Sequence, residues 1–105
     1  MTVGYCVIKL ALFGNRSLKG KRKVLKSIKD RVKGKFNISV SEVGGQDIWQ
    51  TMLIGVSTIG PDSAYIDSLL NQVVNFIDRM GLAHLSSYKI RLIPVGDPEE
   101  DWEFL

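Results

Sequence analysis

Apolar and polar residues fall into six blocks along the chain, four with the period of a strand and two with that of a helix. Residues 3–13, VGYCVIKLALF, are rich in β-formers and stop at Gly14-Asn15. They read as a strand that turns Cys6, Ile8, Leu10 and Leu12 one way and Tyr5, Val7 and Lys9 the other. Leu18, Val24, Leu25, Ile28 and Val32 then recur at helical spacing, with Ser17 placed as the N-cap and Gly34 as the end. FNISVSEV (36–43) and IWQTMLIGVSTI (48–59) are two further strands, and Gly44-Gly45 between them marks a hairpin. After Gly60-Pro61-Asp62-Ser63 a second helical stripe runs through Ile66, Leu69, Leu70, Val73, Ile77 and Met80 to Gly81. HLSSYKIRLIPV (84–95) alternates as the fourth strand.

The order β-α-β-β-α-β, with right-handed crossovers, predicts an α+β ferredoxin-like domain. Both helices lie on one face of a four-stranded antiparallel sheet. A chain of 105 residues suits a single core. The domain is expected over 1–96, with DPEEDWEFL (97–105) as an acidic tail. That tail is either disordered or laid along a basic helix, with Trp102 and Phe104 as anchors.

Charge sharpens this picture. The net charge of +3 conceals ten cations and one acid in residues 16–35, a local +9, against five acids and no cation in 97–105. Such segregation bears on a partner rather than on the fold. Within the first helix Lys19, Arg22, Lys26, Lys29 and Lys33 follow 3-4-3-4 spacing and share one face, with Lys23 beside them and Asp30 off to one side. The stripe is about 21 Å long at ~1.5 Å rise per residue. Like charges at this spacing weaken a helix, and cations at its start oppose its dipole. The pattern therefore reads either as a solvated lysine face or as a phosphate-binding stripe. Lys21 falls on the apolar side instead. It either snorkels from the end of the core or joins Arg16 around an anion at the helix mouth.

Two motifs carry a resemblance. NRSLKGKR follows the first strand, and SEVGGQDIWQ spans the hairpin. Together they resemble the YlxP-like family of small bacterial proteins of unknown function, whose pattern looks like SRSLKEKR followed by V-x-E-V-x-x-Q-D-x-W-Q. Arg16, Ser17, Leu18, Lys19, Lys21 and Arg22 match the first motif; Glu42, Gln46, Asp47, Trp49 and Gln50 match the second. The resemblance implies a ferredoxin-like fold and a bacterial cytoplasmic setting. The family's genes often lie beside those of transcription and translation factors, which implies a ribosome- or RNA-related role. Gly20 departs from the pattern by replacing a Glu, and the acidic tail lies beyond it.

Around the hairpin, Gln46 and Asp47 are expected either to bond turn amides while Trp49 covers the hairpin end, or to form a recognition surface with Trp49 and Gln50. The sheet face away from the helices should carry Tyr5, Val7, Lys9, Ser39, Ser41, Val43, Trp49, Thr51, Leu53, Lys89, Arg91 and Ile93, too apolar for idle solvent contact. It lacks the aromatic signature of RNA-recognition motifs, and burial in a homodimer is the expectation.

Enzymatic chemistry is poorly represented. A lone histidine, His84, reads as structural; Cys6 faces the core as an inert thiol; no P-loop, GxGxxG or GxSxG stands at a strand-to-helix junction. Arg16 occupies a loop comparable to the phosphate cradle of acylphosphatases, without their surrounding sequence. No metal, cofactor, disulfide or membrane span is expected, and the cytoplasm is the natural compartment. The expected function is non-catalytic binding of RNA, with ribosomal RNA favoured, through Lys19, Arg22, Lys23, Lys26, Lys29 and Lys33. The alternative is a dimeric regulatory module that holds an anionic small molecule at Arg16 and Lys21.

Overall fold

A computed structural model describes residues 1–96 and 98–101. The elements are β1 (Thr2–Ala11), α1 (Leu18–Lys35), β2 (Ser39–Gly44), β3 (Thr51–Gly60), α2 (Ser63–Met80), β4 (His84–Pro94) and the single turn α3 (Pro98–Asp101). The sheet order is β2-β3-β1-β4 and every neighbouring pair is antiparallel. This is the ferredoxin-like α+β arrangement that the hydrophobic pattern predicts.

The alternation in β1 decides where the core lies. Cys6, Ile8 and Leu10 are fully buried and stand beside Val56, Ile54 and Met52 of β3 in register. Onto this face α1 lays Ile28 and Val32, while α2 lays Ile66, Leu70, Val73, Val74 and Ile77. Each fully buried side chain of this size contributes about 1.5–3 kcal/mol of transfer free energy. At Gly4 a Cβ would lie 2.4 Å from Ile66 Cγ2, so the missing side chain is what lets α2 settle on β1. Asp62 caps α2 by accepting from the Ala64 N–H, and Gly81 ends it in the left-handed region at φ 66°.

Four boundaries differ from the sequence expectation. β1 stops at Ala11, although the Leu12 N–H still donates to Gln50 O at 2.9 Å before the chain turns at Gly14. α1 runs through Gly34, which has no positive φ, and ends at Phe36 with its N–H on Val32 O. Lys35 holds the last turn by placing its ammonium 4.6 Å from the centre of the Phe76 ring of α2. β2 therefore starts at Ser39. β3 starts at Thr51 because the Ile48 N–H turns back to Gly45 O. Of the acidic segment, Asp97 and residues 102–105 lie outside the described residues, and with them the expected placement of Trp102 and Phe104.

Candidate nucleic-acid interface

α1 begins without an acid in its first turn. One of its free amides is capped locally: Ser17 Oγ accepts from the Gly20 N–H at 3.0 Å, while Ser17 O accepts the first intrahelical bond from Lys21 N–H and a further one from Asn15 Nδ2. A Cβ on Gly20 would lie 2.4 Å from Asn15 Oδ1, so the missing side chain is what seats Asn15.

Lys19, Arg22, Lys23, Lys26 and Lys33 are exposed, and Lys29 is half-buried. At 100° per residue, Lys19, Arg22, Lys26, Lys29 and Lys33 occupy about 80° of arc, on the flank of α1 facing the hairpin side. One expectation is corrected here. Asp30 does interrupt the stripe, because at i+4 from Lys26 it accepts a hydrogen bond from Nζ at 2.7 Å. That bond holds the Asp30 carboxyl below, and the Lys26 ammonium above, its ordinary range. Both groups lie in open solvent, so the pair trims the stripe's charge more than it stabilises the helix.

Lys21 is the second correction. It does not join Arg16 at the helix mouth. Only 2% of the residue is exposed, and its ammonium donates to Gly45 O and, at 2.8 Å, to Ile48 O. Glu42 Oε2 stands 3.1 Å from the same nitrogen as an ion pair without an aligned hydrogen bond. Buried among these three oxygens, the ammonium is closed to a ligand at the helix mouth. Arg16 remains exposed on the loop before α1.

The result is a hairpin bolted to the start of the basic helix. Asn15 Nδ2 adds a bond to Trp49 O at 2.6 Å, and Leu12 N–H adds the one to Gln50 O. Gln46, Asp47, Trp49 and Gln50 have their backbones held this way and their side chains exposed. Among the described residues neither Gln46 nor Asp47 bonds a turn amide; the turn closes through Ile48 N–H and Gly45 O, so those two side chains are left for other contacts. Trp49 is 49% exposed rather than a lid over the hairpin. A cleft of about 240 Å³ separates Leu18, Arg22 and Leu25 from Glu42, Gln46 and Asp47, which places both sequence motifs on one surface.

On the open sheet face Tyr5 stands between Arg91 and Ser57, and Val7 between Lys89 and Gly55. Val43, Ile59 and Ile93 are exposed there too. Cys6 points the other way, into the core, where burial pushes its thiol up to about 11 against a smaller opposing pull from the Lys89 backbone. Among the described residues no cluster of His, Cys, Asp and Glu could hold a metal ion, and no helix is long and apolar enough to cross a membrane.

One residue of this end departs from the sequence expectation. Phe13, expected inside β1, is 81% exposed, and its ring lies 5.5 Å from that of His84. The one available signal was its place directly before Gly14-Asn15, where a turn carries a side chain off the end of the sheet.

Comparison with known proteins bears on the family and the fold. The chain is 38% identical over 76 residues to the uncharacterized protein YlxP of Bacillus subtilis (strain 168), covering 72% of this chain and 83% of that protein. Among solved structures it resembles the de novo designed protein Foldit4, with a TM-score of 0.52 and 13% identity over 91% of this chain and all of that one, a likeness of fold alone. Residues 3–90 match the family described as Protein of unknown function (DUF503), a span that takes in both motifs, the basic helix and the hairpin. This chain is a member of the DUF503 family.

Proposed function

We propose that this protein binds structured RNA without catalysis, ribosomal RNA being the favoured case, through the outer flank of α1. The observation that carries the reading is the largely exposed stripe of Lys19, Arg22, Lys26, Lys29 and Lys33 on a flank of a helix whose adjoining side is packed into the core. Folding gains nothing from cations stacked against the positive end of a helix dipole, whereas a phosphate backbone offsets both. Lys23 and the hairpin side chains of Gln46, Asp47, Trp49 and Gln50 extend the surface at its N-terminal end. The small-anion alternative has lost one of its two cations, since Lys21 is buried and paired. A cytoplasmic setting goes with this reading.

About five phosphate contacts would make affinity fall roughly a hundredfold to five-hundredfold between 50 and 200 mM salt. Co-sedimentation with ribosomal subunits across that range tests it, comparing the wild type with Lys29→Glu/Lys33→Glu, which spares the Lys26–Asp30 pair. The variant should bind more weakly, with a log–log salt slope shallower by at least about 1.4–1.8. Equal binding and equal slope would remove the stripe from the function.

The open sheet face supports self-association of the same protein, since Tyr5, Val43, Ile59 and Ile93 stand exposed on it and Tyr5 and Val43 border a depression of about 320 Å³ at Gly55. Sedimentation velocity should show a dimer that Tyr5→Glu converts to monomer; a wild-type monomer at all concentrations would end this part of the reading.

A further inference from the structure

The end of the domain where α1 begins carries a feature that the phosphate stripe does not use. A depression of about 450 Å³ opens there between the loop that follows β1 and the turn that follows α2, within the range of about 300–1,000 Å³ typical of ligand clefts. Its lining is apolar where Leu12, Val24, Leu82 and Ala83 meet, and Phe13 and His84 stand at its edge. The Phe13 ring touches His84 at a 42° tilt and is otherwise left to solvent. Among the described residues no carboxylate lines the depression. Each segment that forms it brings a cation within two residues: Arg16 next to Asn15, Lys23 next to Val24, and Arg79 before Gly81; Asp78 is the nearest acid in sequence.

We infer that this depression receives an unpaired nucleobase of the bound RNA, stacked on the open side of Phe13. The inference rests on the RNA-binding reading above and names the RNA element concerned: a loop or bulge next to the paired or backbone segment that α1 holds. Three physical features lead there. Exposed aromatic rings beside cations are how proteins take unstacked bases, because every base has a π-face and its phosphate follows the charge. The ring is positioned in advance. Leu12 N–H on Gln50 O and Asn15 N–H on Leu12 O fix the backbone on either side of Phe13, so little ordering cost remains for binding. The spacing also settles how a base would enter. Two rings 5.5 Å apart leave no room for a third between them, since a sandwich needs about 7 Å at ~3.5 Å per contact. A base therefore adds outside Phe13, with the tilted His84 ring supporting Phe13 from behind.

The test uses the full chain and two synthetic RNAs, a hairpin with an unpaired loop and a blunt duplex with the same number of phosphates, titrated by fluorescence anisotropy at several salt concentrations. Phe13 is a surface residue, so Phe13→Ala should fold as the wild type does, which circular dichroism checks. The variant should lose about five- to 150-fold in affinity for the loop RNA, keep its salt slope, and leave the duplex unchanged; Phe13→Trp should restore loop binding. Lys29→Glu/Lys33→Glu should instead weaken both RNAs and flatten both slopes. If the lysine variant behaves so while Phe13→Ala binds the loop like wild type, or loses loop and duplex equally, the base site is overturned and the stripe stands. If the wild type binds neither RNA at low salt, both fall, and Phe13 is left as an anchor for a protein surface.

Discussion

Replacing Lys21 by Met is the most demanding single test of how the interface is held. The substitution keeps most of the apolar stem and removes the ammonium. Glu42, whose side chain is 17% exposed, would then keep a buried carboxylate oxygen with no cation beside it. The carbonyls of Gly45 and Ile48 would lose their donor as well. Removing one partner of a buried pair costs about 3–5 kcal/mol, a large share of the ~5–15 kcal/mol that holds a domain of this size. The expected drop in Tm is about 12–20 °C. Urea denaturation followed by far-UV circular dichroism should show the loss at constant m-value, and amide exchange should show the Ile48 N–H losing protection. Lys21→Met/Glu42→Leu should recover about 1–3 kcal/mol of that loss, because no charge is then stranded and the two loop carbonyls remain. A cost below about 1 kcal/mol for Lys21→Met, or single-variant losses that simply add in the double variant, would refute the coupling.

Two further outcomes follow from residues already described. Cys6 keeps its proton to about pH 11 in the folded state, against an ordinary value of 9.0; between those limits the unfolded thiol ionises and the folded one does not. Stability must therefore fall as pH rises through this window, by up to about 2–3 kcal/mol, and denaturation at pH 8 and 10.5 should show Cys6→Ala losing less than wild type. Gly20→Ala ought to gain about 1 kcal/mol from helix propensity but drives a Cβ into Asn15 Oδ1. The gain should be absent in the wild-type background and present beside Asn15→Ala, which thermal melts of the four variants would settle.

The fold was legible because its signals are local and repeated. Two strand residues with opposite fates, Cys6 and Tyr5, already fix which side of β1 is core, and the capping residues Ser17, Asp62 and Gly81 act where the pattern puts them. The site was legible only in part. The azimuth of Lys21 placed it on the packed side, but the partners that neutralise it lie 21 to 27 residues away, on a turn whose carbonyls face inward only once the hairpin has formed. The Lys26–Asp30 contact was available in the i,i+4 spacing and was passed over for the general run of cations. Gly34 shows the opposite failure, a local stop signal overridden by a tertiary contact, Lys35 on Phe76. Phe13 could not be placed because alternation says which way a strand residue points and not where the strand ends.

The position of β1 in the sheet has a kinetic consequence. The first strand to be made is an interior one, flanked by β3 on one side and by β4 on the other. Its second neighbour arrives only when residues 84–94 have been synthesised, so Tyr5 waits for Arg91 and Val7 for Lys89. Until then the Cys6–Ile8–Leu10 strip has an unpaired edge, and closing it joins segments more than 70 residues apart, among the slower contacts a small domain can make. The contacts that join α1 to the hairpin, Asn15 Nδ2 on Trp49 O and Lys21 Nζ on Ile48 O, need no such wait, since both partners lie within the first 50 residues.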